Sequence, residues 1–298
     1  MMRLIAASVL ACLALPALAV VNVFATVPEW AALAREVGGD KVKVYAATHA
    51  LQDPHRIEAR PSLLAQARSA QLVVAAGADL EIGWLPVVLR DSGNAAIQPG
   101  RPGYFEAAHW VTPLEVPASV DRAQGDVHPA GNPHIHLDPR NVLKVAAALT
   151  ARLAEIDPAN AAAYRANGQS FAERWQAATV RWEKQGAPLK GVPVLVQHRS
   201  FSYLLAWLGM RETGTLEPKP GVEPASGHLS ELLARQQAQP AKMVLRAAYQ
   251  NDGPSQWIAS RAKIPAVVLP FTVGGTQAAQ DLFSLFDDTL ARLLGALP

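Results

Sequence analysis

Apolar and polar positions along the chain fall into two similar series of short strands and helices. Val20 to Thr26 is a β-branched run, Pro28 to Val37 reads as a helix with proline in its first turn, and Lys41 to Ala46 reads as a second strand after Gly38-Gly39. The series continues with a helix at Pro61 to Arg68, a buried strand at Gln71 to Ala76, and a helical stretch at Leu80 to Arg90 that Pro86 is expected to kink. A second series starts with the strand Val192 to Gln197 and the helix Ser200 to Leu208, which Gly209 ends. It runs on through a helix at His228 to Gln237, strand Ala241 to Ala247, helix Ser255 to Ala262, strand Ala266 to Leu269 and a closing helix at Gln277 to Leu294. Strands alternating with helices predict an α/β fold of two lobes.

The stretch Pro158 to Gln185 has no internal proline and places Tyr164, Phe171, Trp175 and Trp182 at steps of seven, four and seven residues, which is one face of a helix. It reads as one long rigid helix joining the lobes; the alternative is two shorter helices inside one continuous domain. The expected division is a leader over 1–19, a first lobe over 20–157, the linking helix over 158–187 and a second lobe over 188–298. A chain of 298 residues, half of them apolar, is long enough for two cores.

The first 19 residues combine Arg3, an apolar run and Ala17-Leu18-Ala19, the pattern of a signal peptide cleaved after Ala19. Cys12 could instead anchor a lipid, but Val9-Leu10-Ala11-Cys12 is a poor lipobox and would leave an apolar tail behind. Cleavage removes the single cysteine, so a metal would have to be held by nitrogen and oxygen. No later run approaches the roughly 18 apolar residues of a membrane span. The formal charge is +2, one unit less without Arg3, and no Lys/Arg cluster stands out, so nucleic acid is not an expected partner.

Chemistry concentrates in His55, His134 and His198. In open α/β sheets ligands bind beyond the carboxyl ends of strands, which is where His55 and His198 fall. His134 lies in a Gly/Pro-rich loop from Gly125 to Pro139, and three imidazoles with one open position suit zinc. His49, His109 and His228 read as surface or hydrogen-bonded residues, and Trp84, Trp110, Trp175, Trp182 and Trp207 as packing residues.

These residues resemble the zinc- and manganese-binding solute receptors of ABC importers. Asp53-Pro54-His55 followed by Pro61-Ser62 is similar to the family's first ligand motif, and Gly77 to Leu85 to its G-x-x-L-E-x-W-L segment with one extra residue. Asn132 to Pro139 is similar to D-P-H-x-W-L-D-P, and His198 to Tyr203 to H-x-x-F-x-Y. Two departures stand out. The family usually takes a fourth ligand from a carboxylate after the last core strand, whereas Leu269 to Gly275 offers none, so water, Glu58, Asp53 or Glu223 are left as candidates. His136 stands where the family has an aromatic residue; it could join His134 if the loop is extended there, with packing the favoured role. His128, with Asp126 and His136, resembles a vestige of the family's histidine-rich loop and could give a weak second metal contact. Glu58 is expected to hold the His55 ring nitrogen.

The resemblance implies an extracytoplasmic, periplasmic binding protein that captures Zn2+ and delivers it to an inner-membrane ABC permease. A periplasmic metallochaperone is a further candidate partner, and a monomer is expected. Manganese is less favoured because it prefers more carboxylate oxygen, and a manganese or iron receptor of the same fold is the alternative. Three histidines and a water also describe a secreted zinc hydrolase, but no H-E-x-x-H pair or other positioned base occurs. A surface adhesion module would rest on Cys12 alone.

Overall fold

The computed structural model describes residues 20–119, 125 and 127–297. The expected signal peptide with Cys12, and Asp126, lie outside them. The first lobe is built from β1 (Val21–Ala25), α1 (Pro28–Gly38), β2 (Val42–Ala46), α2 (Pro61–Ser69), β3 (Leu72–Ala75), α3 (Leu85–Ser92) and β4 (Tyr104–Glu106). Its sheet has the order β2-β1-β3-β4, all parallel. After a long loop come α4 (Pro139–Ile156) and α5 (Ala161–Gly186). The second lobe holds β5 (Pro193–Val196), α6 (Ser202–Leu208), β6 (Arg211–Thr215), α7 (Ser226–Arg235), β7 (Met243–Ala247), α8 (Gly253–Ala262), β8 (Ala266–Leu269) and α9 (Leu282–Gly295), with the order β6-β5-β7-β8, again all parallel. The two sheets share one plan, and the expected α/β fold of two lobes is what the chain forms. Among the described residues no helix is long and apolar enough to cross a membrane.

The 26-residue α5 runs between the lobes on the predicted face: Tyr164, Phe171, Trp175 and Trp182 are all fully buried. Trp175 stacks on Phe171 and donates from Nε1 to the Pro139 carbonyl at 2.8 Å, while Trp182 stacks on Phe286 of α9 and donates to Asp287 at 2.6 Å. Each such ring removes enough apolar surface for roughly 4 kcal/mol of stabilisation. The half-exposed ion pairs Arg174–Glu36 and Arg181–Asp287, along the middle and second half of the helix, add about 0–1 kcal/mol each, so the aromatic face anchors the link. Gly168 lets α4 approach closely, since a Cβ there would lie 2.3 Å from Thr150 Oγ1.

Three helices differ from the expected pattern, and one of them is the closing helix, which starts at Leu282 behind the Asp281 cap rather than at Gln277. The helix expected from Leu80 begins only at Leu85, with Pro86 starting it rather than kinking it. The preceding residues wrap instead around the buried Glu81 carboxylate, which accepts from Thr26 Oγ1 and the Ala76 and Gly77 amides; Gly77, Ala78 and Asp79 all take positive φ to make that turn. A further difference is α4, where no helix was expected. Asp138 caps it by accepting from the Arg140 amide, and Pro139 occupies the first turn.

Candidate metal centre

His55, His134 and His198 converge at the carboxyl ends of the two sheets, each with one potential ligand atom within 4.8 Å of the others. Their ring centroids lie 5.3, 5.7 and 6.0 Å apart. They arrive by different routes. His55 sits in the loop after β2, fixed by Pro54, whose carbonyl accepts from Trp84 Nε1 at 3.1 Å. His134 precedes a short 3₁₀ turn, Ile135–Leu137, and its amide donates to Asn132 Oδ1. His198 directly follows β5.

The third motif turns out to be a clamp between the two ligand-bearing segments. Tyr203 Oη donates to the Asn132 carbonyl at 2.9 Å and accepts from the Leu114 amide at 2.9 Å, and the Asn132 amide group donates to the Arg199 carbonyl. The clamp fixes the His134 loop against the turn that carries His198.

Two of the three rings are oriented by carboxylates. His55 Nδ1 lies 2.8 Å from Asp53 Oδ1, and His198 Nδ1 lies 2.7 Å from Glu217 Oε2. A neutral imidazole that donates from Nδ1 must present a lone pair at Nε2, so both rings offer Nε2 to a cation. Burial pushes the Asp53 carboxyl upward, but the hydrogen bonds it accepts from the His55 ring and amide help leave it below its ordinary value. Glu58, expected on His55, is exposed and contributes only its backbone carbonyl to Arg60; Asp53 has the place assigned to it. Glu217 was missed because it lies 19 residues from His198 in a proline-rich loop, with no local pattern to link them.

His134 is 1 % exposed, and neither ring nitrogen has a hydrogen-bond partner. Burial, reinforced by the neighbouring His55, His198, His136 and His128, holds its pKa well below the ordinary imidazole value, so the ring is neutral. A buried imidazole with two unmet nitrogens is costly unless something occupies one of them, and a cation bound by three neutral imidazoles would do so. The donor set fits a divalent ion of borderline softness.

The other candidates are distributed around this centre. The His128 ring lies 5.3 Å from that of His55 and lines a cavity of about 400 Å³ together with His134, His198 and Asn132. His136 is not beside His134 in an extended strand: it lies in the 3₁₀ turn, 2 % exposed, with Nε2 2.8 Å from the Phe271 carbonyl and Nδ1 3.2 Å from Glu29. Both of its nitrogens are engaged away from the three rings. Glu223 is exposed and lines a second cavity with Asp53, His55 and Glu217. Phe271, just past β8, packs edge-on against His134 at 5.3 Å, so an aromatic ring rather than a carboxylate closes that side. His49 and His109 are exposed, and His228 bonds the Thr215 carbonyl. Of the tryptophans, Trp84, Trp175 and Trp182 are buried, whereas Trp110 is 48 % exposed and only stacks on Phe105.

Two parallel-sheet lobes, one spanning helix and a tri-imidazole cleft define the class of two-lobed metal-binding receptors. The sequence matches, over residues 23–296, the family described as ZnuA, zinc-uptake complex component A periplasmic, and the chain belongs to that family. The crystal structure of ZnuA superposes with a TM-score of 0.78 at 23% identity, covering 94% of this chain and 100% of that one. A Mn-bound periplasmic metal binding protein from candidatus liberibacter asiaticus superposes with a TM-score of 0.75 at 15% identity, covering 92% and 98%. At these identities the likeness carries the fold. The high-affinity zinc uptake system protein ZnuA of Brucella abortus (strain 2308) is 29% identical over 99 residues, which is 33% of this chain and 30% of that protein. The iron-binding protein YfeA of Yersinia pestis is 26% identical over 185 residues, 60% and 54% of the two chains. The matched stretches therefore span about a third to a half of the length of these relatives.

Proposed function

We propose that the protein is a periplasmic receptor that captures Zn2+ through His55, His134 and His198 and delivers it to an ABC-type permease. The observation that carries this reading is the buried His134 ring, with both nitrogens unmet, facing two imidazoles already oriented by Asp53 and Glu217. The ion is cargo: it binds, is shielded, and is handed on, as suits a family of uptake-complex components. The same membership favours a receptor over a secreted hydrolase. The export signal cleaved after Ala19, the lobe boundaries at 157 and 187, a monomeric state and a metallochaperone partner belong to the same reading.

Relatives named for manganese and iron make those metals the alternative cargo. The centre favours zinc because its three converging ligands are all nitrogen, and the nearest wall of the last-strand turn is Phe271. Water completes a four-coordinate zinc, with Asp53 orienting His55 rather than ligating.

Closure follows from the same contacts. Arg56, next to His55, donates to the Gly221 carbonyl in the loop that carries Glu217, at 3.0 Å, so the two lobes already touch beside the centre. A cation bridging His55 and His198 stabilises this arrangement to the extent that it binds the open one less well. The aromatic packing of α5 restricts opening to a small tilt or to movement of these loops. X-ray absorption of the zinc-loaded mature protein tests the ligand set: about three imidazole nitrogens at roughly 2.0–2.1 Å are expected, and a first shell dominated by carboxylate oxygen would sink it.

A further inference from the structure

The three rings are not oriented alike. His55 and His198 each have a carboxylate on Nδ1, whereas the buried His134 ring has no hydrogen-bond partner on either nitrogen among the described residues, so packing must set its angle. Phe271 packs edge-on against it, with centroids 5.3 Å apart and planes at 75°. Edge-to-face contact between rings has a preferred geometry, so a fixed Phe271 holds its neighbour.

Phe271 is itself held in a conformation that its side chain disfavours. Its φ is 66°, in the left-handed region, and the Thr272 amide donates to the Pro270 carbonyl at 2.8 Å to close a three-residue turn around it. A strained turn of this kind persists only where its surroundings over-determine it. Two buried side chains do so. His136, in the ligand loop, donates from Nε2 to the Phe271 carbonyl at 2.8 Å. Glu29, in α1 of the first lobe, accepts from Thr272 Oγ1 at 2.5 Å through one oxygen, and its other oxygen lies 3.2 Å from His136 Nδ1. The strut thus reaches from the first lobe to the turn after β8 in the second and grips it at two successive residues. Glu29, His136, Thr272 and Phe271 are each 4 % exposed or less, so bulk water does not compete for these bonds.

We propose that Phe271 is the positioning residue of His134, the counterpart of Asp53 for His55 and of Glu217 for His198, and that Glu29, His136 and Thr272 form the strut that keeps it in place. The proposal rests on the receptor reading given above and adds how the third ligand is aimed. The strut also governs which ions fit. While the turn is held, the Phe271 ring closes one side of His134, and a bound ion stays at the low coordination number that suits zinc. Released, that side admits further oxygen ligands, which suits manganese.

Three substitutions test this in the mature protein. Thr272→Val removes the hydroxyl at nearly constant shape, Thr272→Ser keeps a hydroxyl, and Phe271→Leu removes the ring but leaves the position apolar. Each is read by competitive titration with zinc and manganese, by the visible spectrum of the Co2+-loaded protein, and by thermal denaturation of the metal-free form. Direct loss of an orienting partner typically costs about 10–100-fold in affinity, so Phe271→Leu should weaken zinc binding about tenfold or more and Thr272→Val, one step removed, about threefold to tenfold. Manganese binding should change less, so that the preference for zinc narrows. The intense visible bands of four-coordinate Co2+ should weaken in both variants as the ion gains ligands. Thr272→Ser should retain the affinity and the spectrum of the wild type. A lower melting temperature with zinc affinity within about twofold of wild type and an unchanged Co2+ spectrum would overturn the proposal, because the turn would then only stabilise the fold. Thr272→Ser behaving like Thr272→Val would overturn the strut. If Thr272→Val does not fold, Phe271→Leu decides on the same affinity and spectrum. Absence of tight zinc binding by the wild type would instead refute the receptor reading.

Discussion

Replacing Glu217 by alanine removes the carboxylate that fixes His198, and the structure sets the size of the effect. The Glu217 side chain is 15 % exposed and accepts from His198 Nδ1 at 2.7 Å and from the Gly221 amide at 2.8 Å. Without it His198 can rotate or take the tautomer that carries its proton on Nε2, where the cation should sit. Loss of an orienting partner of this kind typically costs 10–100-fold in metal affinity, about 1.4–2.7 kcal/mol. The Gly221 turn also loses an acceptor, which places the expected loss in the upper half of that range. Glu217→Gln keeps an acceptor oxygen and should lose less, about tenfold or under. Competitive titration of the metal-stripped protein against a calibrated chelator reads both variants, with thermal denaturation of the metal-free forms as the control for folding. A Glu217→Ala protein that is folded and binds zinc within twofold of wild type would refute the orienting role.

Other consequences can be checked with the same material. His55→Ala, His134→Ala and His198→Ala should each weaken zinc binding at least a hundredfold, whereas His228→Ala, whose ring bonds the Thr215 carbonyl, should leave it unchanged; equal effects at all four would contradict the assignment by calorimetry. Zinc affinity should fall as pH drops through about 6.5, since imidazole binds metal only when neutral, and a flat profile between pH 7.5 and 5.5 would argue against histidine ligands. The metal-free protein should also lose stability over the acid side of that range. The His134 pKa is depressed by burial, so below the ordinary imidazole value the unfolded chain takes up a proton that the folded one refuses, and chemical denaturation at successive pH values reads the slope. Gly168→Ala places a Cβ 2.3 Å from Thr150 Oγ1; overpacking of about 1–3 kcal/mol should outweigh the roughly 1 kcal/mol gained in helix propensity, giving a lower melting temperature, and a higher one would show that α4 and α5 can move apart.

Much of the architecture was legible because it rests on periodicity. The spacing of Tyr164, Phe171, Trp175 and Trp182 marked the buried face of α5, and β-branched runs marked β1, β2, β3, β5, β7 and β8. Two strands escaped notice for a physical reason. Tyr104–Glu106 is three residues long, and Arg211–Thr215 is an edge strand of mostly polar, half-exposed residues with no apolar run to announce it. The start of α4 could have been read from Asp138-Pro139, a cap followed by proline in the first turn, followed by Val142, Val145, Ala146, Leu149 and Leu153 at helical spacing.

The candidate centre divides along the same line. His55, His134 and His198 stood out as members of short local motifs, and the chain brings those three together. Their supporting partners depend on tertiary contacts. Asp53 is two residues from His55 and was visible, but nothing in the sequence favoured it over Glu58. Tyr203 was visible as the end of the motif that starts at His198, but its clamp on the Asn132 and Leu114 backbone acts across folded segments, and Glu217 had no local signature at all. His136 was expected to join His134 only if the loop were extended, with packing favoured, and the 3₁₀ turn swings it toward Glu29 and the Phe271 carbonyl, where it braces the wall of the site.

The most direct test of the central claim is a competitive titration of residues 20–298, stripped of metal, with zinc and manganese against chelators of known affinity. One tight zinc equivalent, with manganese far weaker, is the predicted result for three converging imidazoles walled by Phe271. Zinc binding no tighter than micromolar, or manganese held as tightly as zinc, would contradict it.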